Sequence, residues 1–272
     1  MTATTVTPIA PALDPRIFGR AATAVADTLA VARRNLIGYR RVPQLLVFST
    51  IQPIVFVLMF RYVFGGAIQV PGVPYVDYLM PGVFAQTVVF GSMGTAIGLA
   101  TDLKLGLIER FRSLPMARSA VLAGRTLADL LRNVFVVALM VGVGFLVGFR
   151  VHTNVVAFLG AILLILLFGY AFSWIFATVG LLVGDAETAQ AAAFPIMAPL
   201  VFASSAFVPV QSMPGWLQAF AEHQPVSVTV DAVRALTLGG PTASHVLQAL
   251  AWCIGILAVA APLAVRYYRR AA

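Results

Sequence analysis

The chain has 272 residues, 60% of them hydrophobic and 10% charged, with a mean hydropathy of +0.94 and a formal net charge of +8. A soluble domain carries about a quarter charged residues and could not cover this much apolar surface. These totals exclude an ordinary soluble enzyme. Because the positive charge collects at the ends of apolar runs, they point to a membrane and not to nucleic acid as its partner.

Residues 1–19 lack the basic, apolar and cleavage order of a signal peptide and read as a disordered cytosolic tail. Residues 20–42 carry Arg20, Arg33, Arg34, Arg40 and Arg41, with Val25, Leu29, Ala32 and Leu36 at helical spacing. This pattern predicts an amphipathic helix in the membrane interface with its arginines reaching to headgroups. A basic flank that only sets topology is the alternative.

A first span is predicted over 45–64, with Pro53 inside it, and a second over 78–101, where Gly91, Gly94 and Gly98 give one side small residues. A third follows at 127–149. Asp129 and Arg132 stand one helical turn apart near its start and are expected to pair at the membrane surface. The fourth covers 155–183, and the fifth, 189–207, contains Pro195 and Pro199, which favour a kink. No span is expected to carry a carboxylate near its middle, which leaves an ion-coupled carrier little to work with.

Residues 213–238 hold two short pieces, Pro214–Ala221 and Val226–Leu238, divided by Glu222, His223, Gln224 and Pro225. Neither can cross a bilayer, and the break predicts a re-entrant or interfacial hairpin. The sixth span is predicted over 246–265, and the chain ends on RYYRRAA. The fold class is therefore an all-α integral membrane protein with six transmembrane helices, one domain over 20–272.

With six spans, fifteen basic residues fall on one side and three on the other, namely Arg61, Arg150 and Arg234. The positive-inside bias makes the first side cytosolic, with both termini there and the 213–238 hairpin outside.

Lys104 is the only lysine, and no glycine pattern of a phosphate loop precedes it. HExxH and GxSxG do not occur, Cys253 is the single cysteine, and His152, His223 and His245 are far apart in sequence. No catalytic residue, cofactor or metal is expected on this chain.

One stretch breaks the apolar pattern at its centre. Asp102–Arg118 reads DLKLGLIERFRSLPMAR. As a helix over 102–116 it sets Leu103, Leu107, Phe111 and Leu114 in one stripe and Glu109 with Arg112 on another face, until Pro115 ends the pattern. Such a helix suits either rest on a membrane surface or docking into a groove of a soluble partner.

The order of these features resembles permease subunits of type-2 ABC exporters, the ABC-2 family. GLIERFRSLPMARSAVLAGR at 106–125 and MPGWLQAFAEHQPVSVTVDAVRALTLGG at 213–240 carry the likeness, which is strongest to actinobacterial daunorubicin-resistance permeases. The resemblance implies a second permease subunit, identical or homologous, and a dimer of cytosolic ABC ATPase subunits that bind ATP and Mg. It implies that Leu103, Leu107, Glu109, Arg110, Phe111, Arg112, Leu114 and Pro115 form a coupling helix seated in that ATPase. The 20–42 helix, with Arg33, Arg34, Arg40 and Arg41, would be the family's connecting helix. Pro214, Trp216, Phe220, His223, Pro225 and Arg234 would fall on the outer hairpin near the exit. The implied activity is export of an amphipathic substrate (lipid, glycolipid or hydrophobic drug) across a bacterial plasma membrane. A non-transporting membrane scaffold and an intramembrane lipid-modifying enzyme are the alternatives.

Overall fold

The structure, a computed structural model, describes residues 15–41, 43–68, 70–112 and 118–270, with the backbone alone at 15–22, 39–41, 43–46, 48–49, 110–112 and 118–119. Among the described residues every regular element is helical. A proline starts α1 (Pro15–Arg41), α2 (Pro43–Leu58) and α9 (Pro225–Leu238), where a missing N–H costs nothing. The others are α3 (Tyr75–Lys104), α4 (Leu107–Arg112), α5 (Arg118–Leu146), α6 (Val155–Val183), α7 (Ala186–Phe202), α8 (Gly215–His223) and α10 (Thr242–Arg270). A π-helical turn, Met59–Phe64, continues α2.

Among the described residues four helices are long and apolar enough to cross a membrane: α3, Ala120–Leu146 of α5, α6 and α10. The remaining two expected spans correspond to α2 with its π-helical turn and to α7, which has 17 residues and contains Pro195 and Pro199. Side chains cap the best-defined ends. Asn154 accepts from the Ala157 N–H at 2.8 Å to start α6. Gly184, in the left-handed region at φ +70°, closes it.

The bundle is built on α3, which is buried over most of its length and packs against α5, α6, α7 and α9. Its core side chains are Leu79, Met80, Val83, Phe84 and Val88, which meet Phe168, Phe172 and Phe176 of α6. Polar groups join the same helices. Ser92 Oγ donates to the Gly169 carbonyl at 2.9 Å. α1 lies along α5, with Val31 and Ala32 buried and Val25 and Leu29 exposed, so one edge of it is seated and the other is open. The sequence set this helix at 20–42; the observed element covers Pro15–Arg41.

α5 begins before the expected 127, and its extra turns carry Arg125 into the helix with Asp129 and Arg132. Asp129 and Arg132 pair as expected, with Arg132 Nε 4.0 Å from the Asp129 carboxylate, and Arg125 joins them. Asp129 has no exposed surface. One turn further along α5, Asn133 Nδ2 would stand 3.3 Å from a Cβ at Gly169 of α6.

Candidate functional site

Three groupings of polar side chains stand along the bundle axis, one at each end and one between. The first surrounds α4. Gly106, at φ +65°, turns the chain out of α3, a conformation other residues adopt only with strain. The six residues of α4 follow. Ile108 is fully buried among Leu99, Val121, Leu122, Trp174, Leu181 and Tyr268, and Leu103 packs on the same cluster. The sequence stripe did not include Ile108, yet this side chain pins the segment to the bundle. Leu107 is half-buried, whereas Glu109 and Leu105 are exposed, Leu105 by 67%. Arg110, Phe111 and Arg112 complete the helix, described as backbone, and the expected sites Leu114 and Pro115 lie outside the described residues.

Two ion pairs tie this segment to its neighbours. Arg34 of α1 meets Asp102 at 2.9 Å, and Lys104 meets Asp185 at 2.7 Å in the turn between α6 and α7. Arg33 is exposed, and the Arg40 and Arg41 side chains lie outside the described residues. α1, the α6–α7 turn and the last turns of α10 thus gather at one end of the bundle with α4. The turn there (GDAET) has no positive charge of its own and meets the lysine of its neighbour.

The Lys104 hydrogen bond, helped by the Thr188 backbone N–H, holds the Asp185 carboxyl down to about 2. A depressed carboxylate contributes its stability above the ordinary value of 3.8 and loses it as pH falls through about 2. The expected result is a difference in melting midpoint between the native chain and Asp185→Asn that stays constant from pH 8 to roughly pH 4 and shrinks below it. The difference is small, because both side chains face solvent. Melting followed over that range checks it.

The second grouping is the charge ladder of α5. Arg125, Asp129 and Arg132 follow at i, i+4 and i+7, and facing them on α3 are Gly98, Thr95, Gly94 and Gly91. Arg125 Nε stands 3.6 Å and Arg132 Nε 4.0 Å from the Asp129 carboxylate, and Thr95 Oγ1 donates to Asp129 Oδ2. Arg125 Nη2 donates to the Gly94 carbonyl at 2.8 Å and Arg132 Nη2 to that of Gly91. Gly91 and Gly98 leave the space in which the guanidinium groups lie, and a Cβ at either would collide with one. The glycine row read as a packing face is thus a seat for arginines. The i, i+4, i+7 charges of α5, set beside the i, i+3, i+7 glycines of α3, were the available signal.

The third grouping is at the opposite end. α8 and α9 meet at Gln224, which accepts from the Val226 N–H and donates to the Leu200 carbonyl at 2.9 Å. Pro225 opens α9 and Pro214 caps α8. Trp216, Phe220 and His223 of α8 are exposed, whereas α9 is buried against α3, α6 and α10. The two expected halves of the hairpin therefore have different surroundings. Arg234 is the buried member: its guanidinium lies 3.5 Å over the Tyr78 ring and donates to the carbonyls of Tyr78, Ser205 and Ala206 and to Asp231. Nearby, Asp77 accepts from the Arg150 N–H at 2.8 Å and meets His152 Nε2 at 2.9 Å. Among the described residues no three His, Cys, Asp or Glu side chains converge on a point where a metal could bind.

The model of the ABC-2 type transporter family matches residues 26–238, which include all three groupings. The chain is 38% identical over 250 residues to the daunorubicin resistance ABC transporter permease protein DrrB1 of Streptomyces coeruleorubidus, covering 91% of this chain and 88% of that one. It is 31% identical over 263 residues to the probable doxorubicin resistance ABC transporter permease protein DrrC of Mycobacterium tuberculosis, covering 96% and 95%. A putative transport permease, ycf38, of Cyanophora paradoxa is 24% identical over 219 residues, 78% of this chain and 74% of its own. Permeases of this kind are transmembrane components and not catalytic; a partner ATPase hydrolyses the ATP. A multi-pass membrane protein whose matched segment runs from the helix seated along α5 to the end of α9, this chain belongs to the ABC-2 type transporter family.

Proposed function

We propose that the chain is the permease subunit of an ATP-driven exporter of amphipathic molecules, working with a cytosolic ATPase dimer and a second permease. ATP and Mg bind on the ATPase. The observation that carries this reading is the build of the α4 end. Exposed Glu109 and Leu105 stand beside a buried Ile108, and ion pairs fasten the segment to α1 and to the α6–α7 turn. A push on α4 is thereby passed to three parts of the bundle, as a coupling helix requires.

In this reading α2 with its π-helical turn and α7 also cross the membrane. The 22 residues of α2 and its turn, from Pro43 to Phe64, span about 33 Å at 1.5 Å per residue, enough for the hydrocarbon layer. Six spans place α4 and both termini in the cytosol and make α8–α9 an outer-leaflet re-entrant hairpin. Two of the relatives are named for resistance to daunorubicin and doxorubicin, and both drugs belong to the amphipathic class proposed as substrate.

The test is ATP-dependent efflux of daunorubicin from proteoliposomes holding the permease and its ATPase. Glu109→Ala and Phe111→Ala are each expected to lower the rate at least ten-fold while ATPase co-purification weakens and the permease stays folded. A permease that recruits no ATPase, or efflux indifferent to both substitutions, overturns the reading.

A further inference from the structure

A cleft of about 500 Å³ opens between α8, α9 and α10. Glu222 and His223, at the end of α8, and Gln248 and Trp252, one turn apart on α10, line it, with Val228 and Ala251 as its apolar wall. The four polar residues are all exposed.

What they offer is one-sided. Glu222 Oε1 accepts from Gln218 Nε2 at 2.8 Å, a bond that brings no counter-charge. Among the described residues no basic side chain pairs with this carboxylate, and the Gln248 amide makes no hydrogen bond. His223 Nδ1 donates to the Ala219 carbonyl at 3.1 Å, so Nε2 of the neutral ring is an acceptor. Neither arginine nor lysine lines the cleft.

Its depth suits a molecule with a polar head and an apolar tail. The 29 residues of α10 are about 43 Å long at 1.5 Å per residue, against about 30 Å of hydrocarbon. The ends of α10 therefore stand among headgroups. Gln248 lies near that border, and Leu247 and Ile254 beside the cleft are exposed to the acyl layer. An anionic head would meet the Glu222 charge, and a hydroxyl would leave that charge unbalanced. A protonated amine donates to carboxylate, amide and imidazole acceptors, and its charge is attracted to an indole ring.

We propose that this cleft binds the protonated amine head of an amphipathic molecule through Glu222, Gln248 and Trp252, with the apolar tail lying along α10. The site stands on the membrane setting of α10 and goes beyond the exporter reading, since it would hold such a head whether or not the chain exports it.

Protection of a reporter cysteine tests it. Cys253, the single native cysteine, is buried. In a Cys253→Ala background the full chain carrying Ala251→Cys is reconstituted in phosphatidylglycerol liposomes and labelled with N-ethylmaleimide. The probes are decylammonium, decanol and decyl sulfate, which share one tail, each below its micelle range. Labelling is expected to slow at least five-fold with decylammonium and not with the other two, and Glu222→Gln is expected to abolish the protection. Should Ala251→Cys resist labelling, the melting midpoint decides: decylammonium should raise that of the native chain and not that of Glu222→Gln. Equal slowing by decanol, protection that survives Glu222→Gln, or a midpoint that moves alike in both chains overturns the proposal and leaves Glu222 a solvated surface carboxylate. Adding phosphatidylethanolamine to the liposomes identifies the source of the amine. Labelling already slow before decylammonium is added, and quickened by Glu222→Gln, makes the occupant a membrane lipid. Labelling slowed by decylammonium alone makes it a diffusing amphiphile.

Discussion

Asp129→Leu should cost this protein about 3–5 kcal/mol of stability, the range for removing one partner of a buried ion cluster. The carboxylate is fully buried and stands between two guanidinium groups, with Thr95 donating to it. Without it, Arg125 and Arg132 keep their carbonyl contacts on α3 but lose the negative charge that both face. Both guanidinium groups lie in the space that Gly91 and Gly98 leave on α3. The loss should appear as a large fall in monodisperse yield and a lower melting midpoint in detergent.

The decisive comparison is the triple variant Arg125→Met, Asp129→Leu, Arg132→Met. Removing all the charge of a buried cluster is often neutral or stabilising, whereas removing one partner is not. The triple variant is therefore expected to recover most of the lost yield. A single Asp129→Leu protein as stable as the native chain, or a triple variant no better than the single, would show that the cluster does not hold α5 on α3.

Much of this architecture could be read from residue patterns, and the exceptions share a cause. Long apolar runs placed α3, α6 and α10 closely, because a span needs only length and low polarity. α5 begins before the expected span at 127, and its added turns bring Arg125 onto the helix that carries Asp129 and Arg132. Arg125, Asp129 and Arg132 stay inside the helix because α3 supplies carbonyls and glycine clefts for them, a tertiary compensation that periodicity in one segment does not reveal. Ile108 escaped for a related reason. The Leu103–Leu107–Phe111 stripe assumes one unbroken helix, but Gly106 restarts the chain in the left-handed region and turns Ile108 inward. At the other end the proline break at Pro225 was enough to divide α8 from α9. It could not show that α9 is buried and α8 open, since both pieces are similarly mixed in composition.

Arg234→Met should be the other severe substitution, with a comparable cost of about 3–5 kcal/mol for a buried charged hydrogen-bonding centre. The reason lies in the backbone that Arg234 serves. α7 ends at Phe202, and the chain then runs irregularly to Val210, leaving carbonyls that no helix ladder can use. Gly82 of α3 lets this segment approach, since a Cβ there would collide with the Ala206 backbone. The arginine fork takes up the Ser205 and Ala206 carbonyls, and its Nε takes that of Tyr78 at 3.1 Å. Asp231 receives both Arg234 Nη1 and Ser205 Oγ at 2.9 Å. Methionine keeps the packing over Tyr78 but removes every donation from Arg234, leaving the Ser205 carbonyl only the Tyr78 hydroxyl and Asp231 only the Ser205 hydroxyl. Lysine restores the charge but offers one compact ammonium in place of a planar fork, so Arg234→Lys is expected to recover less than half of the loss. The readout should be local as well as global: hydrogen exchange should rise first over 203–209 and α8–α9, and only later over α3 and α6. Uniform protection in Arg234→Met, or full rescue by lysine, would mean that the irregular segment is held by its own packing and that Arg234 does not fasten α9 to α3.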